Sequence, residues 1–463
     1  MNLKKSLCLI LALILALAAA ALAEGDDLQA QLDAANERIA QLEAEVEKYR
    51  PYYEKQIVAE YGEDGIVWLE DAQAQYEEAA SMYASYGISI DDYADQIKQS
   101  ILEGMVEQGV LQQKAGELGI SPLDEATTAE LDAKAAEDLE TYVNYYTSYF
   151  AGEDASEEEA HDATVAGLAE HGITQEALLK NRVTDYVNEK LHDYVTGDVT
   201  VSDEEIQATY EAMVAQDQET YESSDNDYNS ARNSGTAIAW NPEGYRAVKQ
   251  VLIRFNDDQA ARYSEMQSML ADLNDELAAL DEAENGEAEE AEETTADAAA
   301  DEAEEAPRTR EEIQADIGTI GVSMEALFSE LTPDAQKVID AYNDGTDFAE
   351  LIEQYNADPG MTNEPTATIG YAVSANSTYW DAAFTEAAMA IEEVGGISGP
   401  VHGDNGIYII RYDSDITPGP VPFEEISDAV ADKALEDKIS KTYSDQVAAW
   451  VEEAGATYHL DRF

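Results

Sequence analysis

This chain is short of the residue types that most often mark a reactive centre. Its 463 residues include one cysteine, five histidines and only 25 lysines and arginines. Cys8 sits within an apolar N-terminal run, so the rest of the chain has no thiol for a disulfide, a thiolate metal site or a nucleophile. His161, His171, His192, His402 and His459 are not spaced as ligands on one helix face. No metal and no other cofactor is called for. Against the basic residues stand 100 aspartates and glutamates, a formal charge of −75. Such a surface repels the phosphate backbone, which excludes nucleic acid as a partner, and it disfavours anionic lipid. It suits a well-solvated protein in an extracytoplasmic or salty medium. The acidic loop Asp225-Asn-Asp-Tyr-Asn229 lacks the glycine and the distal glutamate of an EF-hand and is not read as a calcium site.

Residues 1–23 carry Lys4 and Lys5, an apolar run from Leu7 to Leu22, and Ala21-Leu22-Ala23 before Glu24. This is the pattern of a secretory signal peptide with an Ala-x-Ala cleavage site. The run is a little short to span a bilayer, so stable membrane insertion is not expected after cleavage; a retained anchor is the alternative. From 24 to 52, Leu28, Leu32, Ala35, Ile39, Leu42, Val46 and Tyr49 step by four and three, the seam of a short coiled coil that stops near Pro51. A homodimer through it is left open, although three heptads suit packing within one chain better.

Residues 53–235 read as a helical domain, with helix stops at Gly87, Gly119, Gly152, Gly172 and Gly197. Tyr142, Tyr145, Tyr146, Tyr149 and Phe150 share one helix face, either as core or as a cradle for extended polypeptide. Ser202-Asp-Glu-Glu205 is an N-cap with an acidic first turn. Tyr245-Arg-Ala-Val-Lys-Gln-Val-Leu-Ile-Arg-Phe255 is the first convincing strand. An insertion follows over 256–333. Its arms have seams at Tyr263, Met266, Leu270, Leu273, Leu277 and Leu280, and at Ile313, Ile317, Ile320, Met324, Leu327 and Leu331. They predict an antiparallel coiled-coil hairpin, with an acidic disordered tip over 281–306.

Beyond the insertion come a helix over Asp334–Asn343, a helix start at Asp347-Phe-Ala349, Asp358, Ile369-Gly-Tyr371, and Tyr379-Trp-Asp-Ala-Ala-Phe384. Gly395-Gly-Ile-Ser-Gly-Pro-Val-His-Gly-Asp-Asn-Gly-Ile-Tyr-Ile-Ile-Arg-Tyr412 then spells a turn, a short strand, an Asp-Asn-Gly turn and a buried strand. The order of these motifs resembles the parvulin family of peptidyl-prolyl isomerases over residues 245–255 and 334–412. With an N-terminal helical domain and a C-terminal helix over Pro422–Ala454, the layout is similar to extracytoplasmic foldases of the PrsA/SurA type. The implied fold class is α+β. A mostly helical chaperone-like module accompanies a small parvulin-like domain, an antiparallel four-stranded sheet with helices, over 236–255 and 334–418. Residues 419–463 would pack back on the N-terminal module.

The resemblance implies catalysis without nucleophile, metal or cofactor. Amide resonance sets a barrier of about 20 kcal/mol, which falls when the X–Pro bond is twisted in a desolvated pocket. By position the proline slot falls on Ile369, Trp380 and Phe384, and the polar groups on Asp358, Gln250 and Tyr408. Parvulins usually place two histidines where this chain has Gln250 and Tyr408; these two can still hydrogen-bond each other across adjacent strands, and His402, in the turn between the last two strands, could compensate but reads first as an exposed residue. The implied partners are unfolded or extended proline-containing polypeptides. Arg246, Lys249 and Arg254 are the only basic residues near the slot, so phosphorylated substrates are not expected. Three readings stand: a foldase that isomerises prolyl bonds, a non-catalytic holdase or scaffold with a degenerate parvulin domain, and a coiled-coil surface organiser spaced by its acidic insertion.

Overall fold

The structure, a computed structural model, describes residues 38, 56–152, 155–286 and 308–463. The expected signal segment, the expected 24–52 heptads apart from Arg38, and most of the expected acidic tip lie outside the described residues. The chain divides into two units, Met1–Thr200 with Glu436–Phe463, and Val201–Leu435. No described helix is long and apolar enough to cross a membrane.

The first unit opens with strands where helix was expected. β1 (Ile57–Tyr61) and β2 (Gly65–Trp68) form an antiparallel hairpin, and β9 (Thr457–Tyr458) adds to its other edge. Val58, Ala59 and Val67 are buried, and Gly62 supplies the positive φ of the turn. β-branched residues on both sides of a glycine turn outweigh the helical surroundings. Helices α1 (Leu69–Ser85), α2 (Ala94–Glu117), α3 (Glu125–Phe150), α4 (Glu157–Glu170) and α5 (Gln175–Thr196) follow. Leu102, Val106 and Val110 of α2, at four-residue spacing, share a core with Val187 and Leu191 of α5 and with Val447 and Trp450 near the C-terminus. The core reading of the tyrosine face fails, because Tyr145 and Tyr149 on α3 are 77% and 78% exposed.

The second unit begins with α6 (Asp203–Ser223), whose Ser202 and Glu205 form a reciprocal capping box as the motif predicts. α7 (Asp225–Ser234), the two-residue β3 (Trp240–Asn241) and the strand β4 (Arg246–Arg254) come next. The insertion is a pair of helices, α8 (Asp257–Gly286) and α9 (Arg310–Asn343), with Leu273, Ile313 and Ile320 buried between them and Leu277 and Ile317 packed alongside. Two details differ from expectation. α8 runs past Asp281, where the tip was expected to begin, and α9 continues through Pro333 instead of restarting at Asp334. Pro333 removes one helical hydrogen bond, but Leu327 and Phe328 before it and Ala335 and Val338 after it are all buried in the same core. That burial outweighs the missing bond.

α10 (Phe348–Tyr355), α11 (Thr366–Ile369), β5 (Tyr371–Val373), α12 (Ala382–Ala390), β6 (Val401–Gly403), β7 (Gly406–Asp415) and β8 (Gly419–Pro420) complete this unit, and α13 (Phe423–Ala454) follows. The antiparallel sheet has the order β5-β4-β7-β6. β4 and β7 pair from Arg246↔Asp415 to Arg254↔Gly406 with one bulge after Ala247. Facing residues in such a ladder share a side, so Gln250, Leu252, Tyr408 and Ile410 point one way, and Val251, Ile253, Ile407 and Ile409 the other. All eight are buried, because helices cover both faces.

Gly406 closes the Asp404-Asn405 turn at φ 139°, and a Cβ there would lie 2.2 Å from the Ile253 carbonyl oxygen. Gly406→Ala is therefore expected to lower unfolding free energy by at least about 2 kcal/mol in chemical denaturation; an unchanged midpoint would refute the proposed constraint.

Candidate functional site

The 356–361 segment crosses the edge of β4 just beyond the end of β5. Leu252 donates its backbone N–H to Asn356 Oδ1 (3.0 Å), and the Ala357 N–H is returned to the Leu252 carbonyl (3.0 Å). This places Asp358 above Gln250. Gln250 Nε2 donates to Asp358 Oδ2 (2.7 Å), and the Tyr371 hydroxyl donates to the same oxygen (2.8 Å). Asp358 Oδ1 accepts the Gly360 N–H (3.0 Å), which caps the short turn Pro359–Met361. Burial, then the hydrogen bond to the Asp358 carboxylate, pushes the Tyr371 phenol far above its ordinary range, so it stays a proton donor.

A run of aromatic rings continues from that triad. Tyr371 contacts Trp380 (centroids 4.4 Å), Trp380 contacts Phe384 (5.8 Å), and Phe384 meets Tyr408 edge-on (5.4 Å, 79°). Trp380 is fixed by its indole N–H, which donates to the Ala372 carbonyl (2.8 Å). Phe384 is on α12, whose N-cap Asp381 accepts from Ala383 N (2.7 Å) and, through its other oxygen, from Asp404 N (3.0 Å) in the β6–β7 turn. Asp381 thus ties the helix bearing Phe384 to the turn beside Tyr408.

Five of the six residues singled out from sequence fall in these two connected groups: Asp358 and Gln250 in the polar one, Trp380, Phe384 and Tyr408 in the aromatic one. Ile369 does not join them. It ends α11 half-buried and is not among the side chains packed on this core. The expected Gln250–Tyr408 hydrogen bond is also not made. Gln250 faces Ile410 and Tyr408 faces Leu252, one pleat apart, and the Tyr408 hydroxyl accepts from Asn405 Nδ2 (3.2 Å) instead. His402 is not a free turn residue. It lies in β6 opposite Ile407, on the face away from Tyr408, stacked on Phe328 of α9 (4.1 Å, 5°). From there it cannot replace a histidine at Tyr408.

Tyr371, Asn356 and Asn405 were missed as site residues. Tyr371 stands directly after Gly370, whose φ of 68° and close approach to the Val248 carbonyl start β5; that glycine was the available clue. Basic groups contribute little. The Arg246 guanidinium lies over the Tyr412 ring (4.1 Å) and donates to the Ile391 carbonyl (2.8 Å). A separate open cleft of about 610 Å³ lies in the first unit, lined by Ile120, Pro122, Leu123, Tyr186, Lys190 and Tyr194 among others.

A half-buried carboxylate thus gathers an amide and a phenol beside a run of contacting aromatic rings. Over 117 residues the chain is 27% identical to the foldase protein PrsA of Clostridium botulinum, covering 25% of this chain and 34% of that protein. The chain is similar to PrsA-type foldases. It spans about a third of the length of the curated relatives it matches. Solved structures similar to it include PrsA from Bacillus subtilis (12% identity, 86% of this chain and 93% of that one, TM-score 0.23). Another is PrsA from Streptococcus pneumoniae (14% identity, 81% and 88%, TM-score 0.20). No protein-family model matches the chain.

Removing the Tyr371 hydroxyl tests the polar group. Tyr371→Phe is expected to cost about 0.5–1.5 kcal/mol at neutral pH. The folded-state pKa is raised, so the wild type's advantage is complete below the ordinary tyrosine value of 10.0 and shrinks as pH rises above it. Urea titrations of both proteins at pH 7 and pH 11 check this; an advantage that grows at pH 11 would contradict the assignment.

Proposed function

We propose that this chain is an extracytoplasmic foldase that binds unfolded polypeptide and isomerises X–Pro bonds in the groove of its second unit. The observation that carries the reading is the junction of the Asp358–Gln250–Tyr371 hydrogen bonds with the Trp380–Phe384–Tyr408 rings. The proline ring would rest on Trp380 and Phe384, with Ile369 at the rim. The rings would exclude water and favour the less polar twisted amide over the planar one. Burial raises the Tyr408 phenol, so it too stays protonated and able to donate to a substrate carbonyl. Asp358 would hold Gln250 and Tyr371 in place rather than exchange a proton. Residues 236–255 and 334–418 would form the isomerase domain, and the Ala-x-Ala segment would direct the chain out of the cytoplasm.

The second reading, a holdase, is favoured by the exposed rings of α3. Tyr142, Tyr145 and Tyr149 lie at helical spacing and are open to solvent. Tyrosine offers large amphipathic contact area at low entropic cost, which suits extended segments of varied sequence.

A protease-coupled assay on a short Ala-Pro peptide separates the two. A foldase should accelerate isomerisation over buffer, and Trp380→Phe and Phe384→Ala, confirmed folded by circular dichroism, should each lose at least tenfold. A wild-type rate equal to buffer, with aggregation of a denatured client still suppressed, would leave the holdase. Independently, the double substitution Tyr145→Ala with Tyr149→Ala should weaken that suppression without lowering Tm, since both rings are exposed; full suppression by this variant would remove α3 as the client surface.

A further inference from the structure

The loop between β5 and α12, residues 374–381, carries Trp380 but has almost no regular structure of its own. Its backbone amides at Thr378 and Tyr379 both donate to Asp225 Oδ2 (2.9 Å each), and the Ser377 hydroxyl donates to the same oxygen (2.8 Å). Asp225 is the first residue of α7, some 150 positions earlier in the chain. Its other oxygen, Oδ1, accepts the Tyr245 hydroxyl (2.6 Å) and Asn229 Nδ2 (3.0 Å). One half-buried carboxylate therefore joins helix and strand on one side to the loop on the other, through five donors. Charge-assisted bonds of this kind are the stronger class of hydrogen bond.

α7 reaches the other lip of the groove as well. Arg232 Nη2 donates to the Ile369 carbonyl (3.1 Å), and Asn233 Nδ2 lies 3.4 Å from the Tyr379 hydroxyl. The helix is itself anchored by Tyr228, fully buried against Ile238 and Ala372, with its hydroxyl donating to Asn241 Oδ1 (2.9 Å). The Ile369 and Trp380 lips are thus both tied to a helix that precedes the strands of the sheet.

We propose that Asp225 is a positioning residue for the polypeptide groove: its carboxylate clasps the Ser377–Tyr379 turn to α7 and so sets where Trp380 stands to receive a proline ring. The proposal rests on the reading of that groove as the prolyl-peptide site, but the clasp can be tested apart from it. The acidic stretch 225–229, read from sequence as a loop, is the opening of α7, and its leading carboxylate is filled by protein donors. It also places α7 functionally with the isomerase unit rather than with the helical module.

The experiment uses the full chain with Asp225→Ala, Asp225→Asn and Ser377→Ala, and reads two quantities. The first is hydrogen exchange at the Thr378 and Tyr379 amides. The second is kcat/KM on the Ala-Pro peptide, or its Kd by calorimetry if turnover is absent. Asp225→Ala is expected to speed exchange at both amides at least tenfold and to weaken peptide use about tenfold. Asp225→Asn should restore most of both, because its carbonyl oxygen can face the loop while Tyr245 rotates its hydroxyl, and Asn229 turns its amide oxygen, to accept from the new amide. Ser377→Ala, which leaves the carboxylate and both amides in place, should give a smaller change in the same direction. Unchanged exchange at the two amides in Asp225→Ala and Ser377→Ala overturns the clasp. Faster exchange with undiminished peptide use overturns its role in positioning. If Asp225→Ala proves unfolded, the graded response of the other two variants decides the matter by the same criteria. A wild type that neither turns over nor binds the peptide would refute the groove reading, while the exchange data would still report on the clasp.

Discussion

The pairing of Arg246–Arg254 with Gly406–Asp415 is the constraint on which the second unit depends. Its register decides that Gln250 and Tyr408 share a face and that His402 takes the opposite one. A slip of one residue would exchange every buried side chain between the two faces. The register is pinned at one end by Gly406, where no side chain fits over Ile253, and near the other by the bulge after Ala247. Everything in the groove follows from it. The 356–361 segment can cross the β4 edge only where β5 has stopped, and α12 can lay Phe384 on Tyr408 only because that ring emerges on its side.

Much of this was legible in the sequence. The β4 and β7 strands, the Asp-Asn-Gly turn, the helix starts at Ser202 and Asp347, and the seams of the α8–α9 pair all rest on local pattern, and local pattern was enough. What was not legible depends on partners distant in the chain. The β1–β2 hairpin was hidden because two short strands in a helical neighbourhood acquire their edge partner, Thr457–Tyr458, only at the far end of the chain. Pro333 reads as a stop unless the core on both sides of it is known. Gly370 marks the turn before Tyr371, but nothing in the sequence reveals a carboxylate above that ring. The tyrosines of α3 have a core-like spacing, and only burial distinguishes a core stripe from an exposed one.

In the proposed groove the centre differs in chemistry from the one that the parvulin resemblance implies. Where the parvulin resemblance implies a pair of histidines, this chain has an amide held by Asp358 and a phenol held by Asn405. Both are neutral at physiological pH, and both are already bonded within the unit. Such a centre is stiff and insensitive to pH over the range where histidine titrates. Rigidity of this kind suits a reaction whose demand is shape and exclusion of water more than proton transfer.

The continuity of α9 bears on how the unit assembles. β4 and its partner β7 are separated by more than 150 residues, and a flexible connection of that length would make their pairing slow. α8 leaves directly from the end of β4, and α9 returns along it for 34 residues to deliver Phe328, Ala335 and Val338 onto the same sheet. If the two helices zip first, the later half of the chain would be brought back beside the first strand before any strand has found its partner. In that order of events the insertion would act as a splint during folding, shortening the search that the sheet would otherwise have to make.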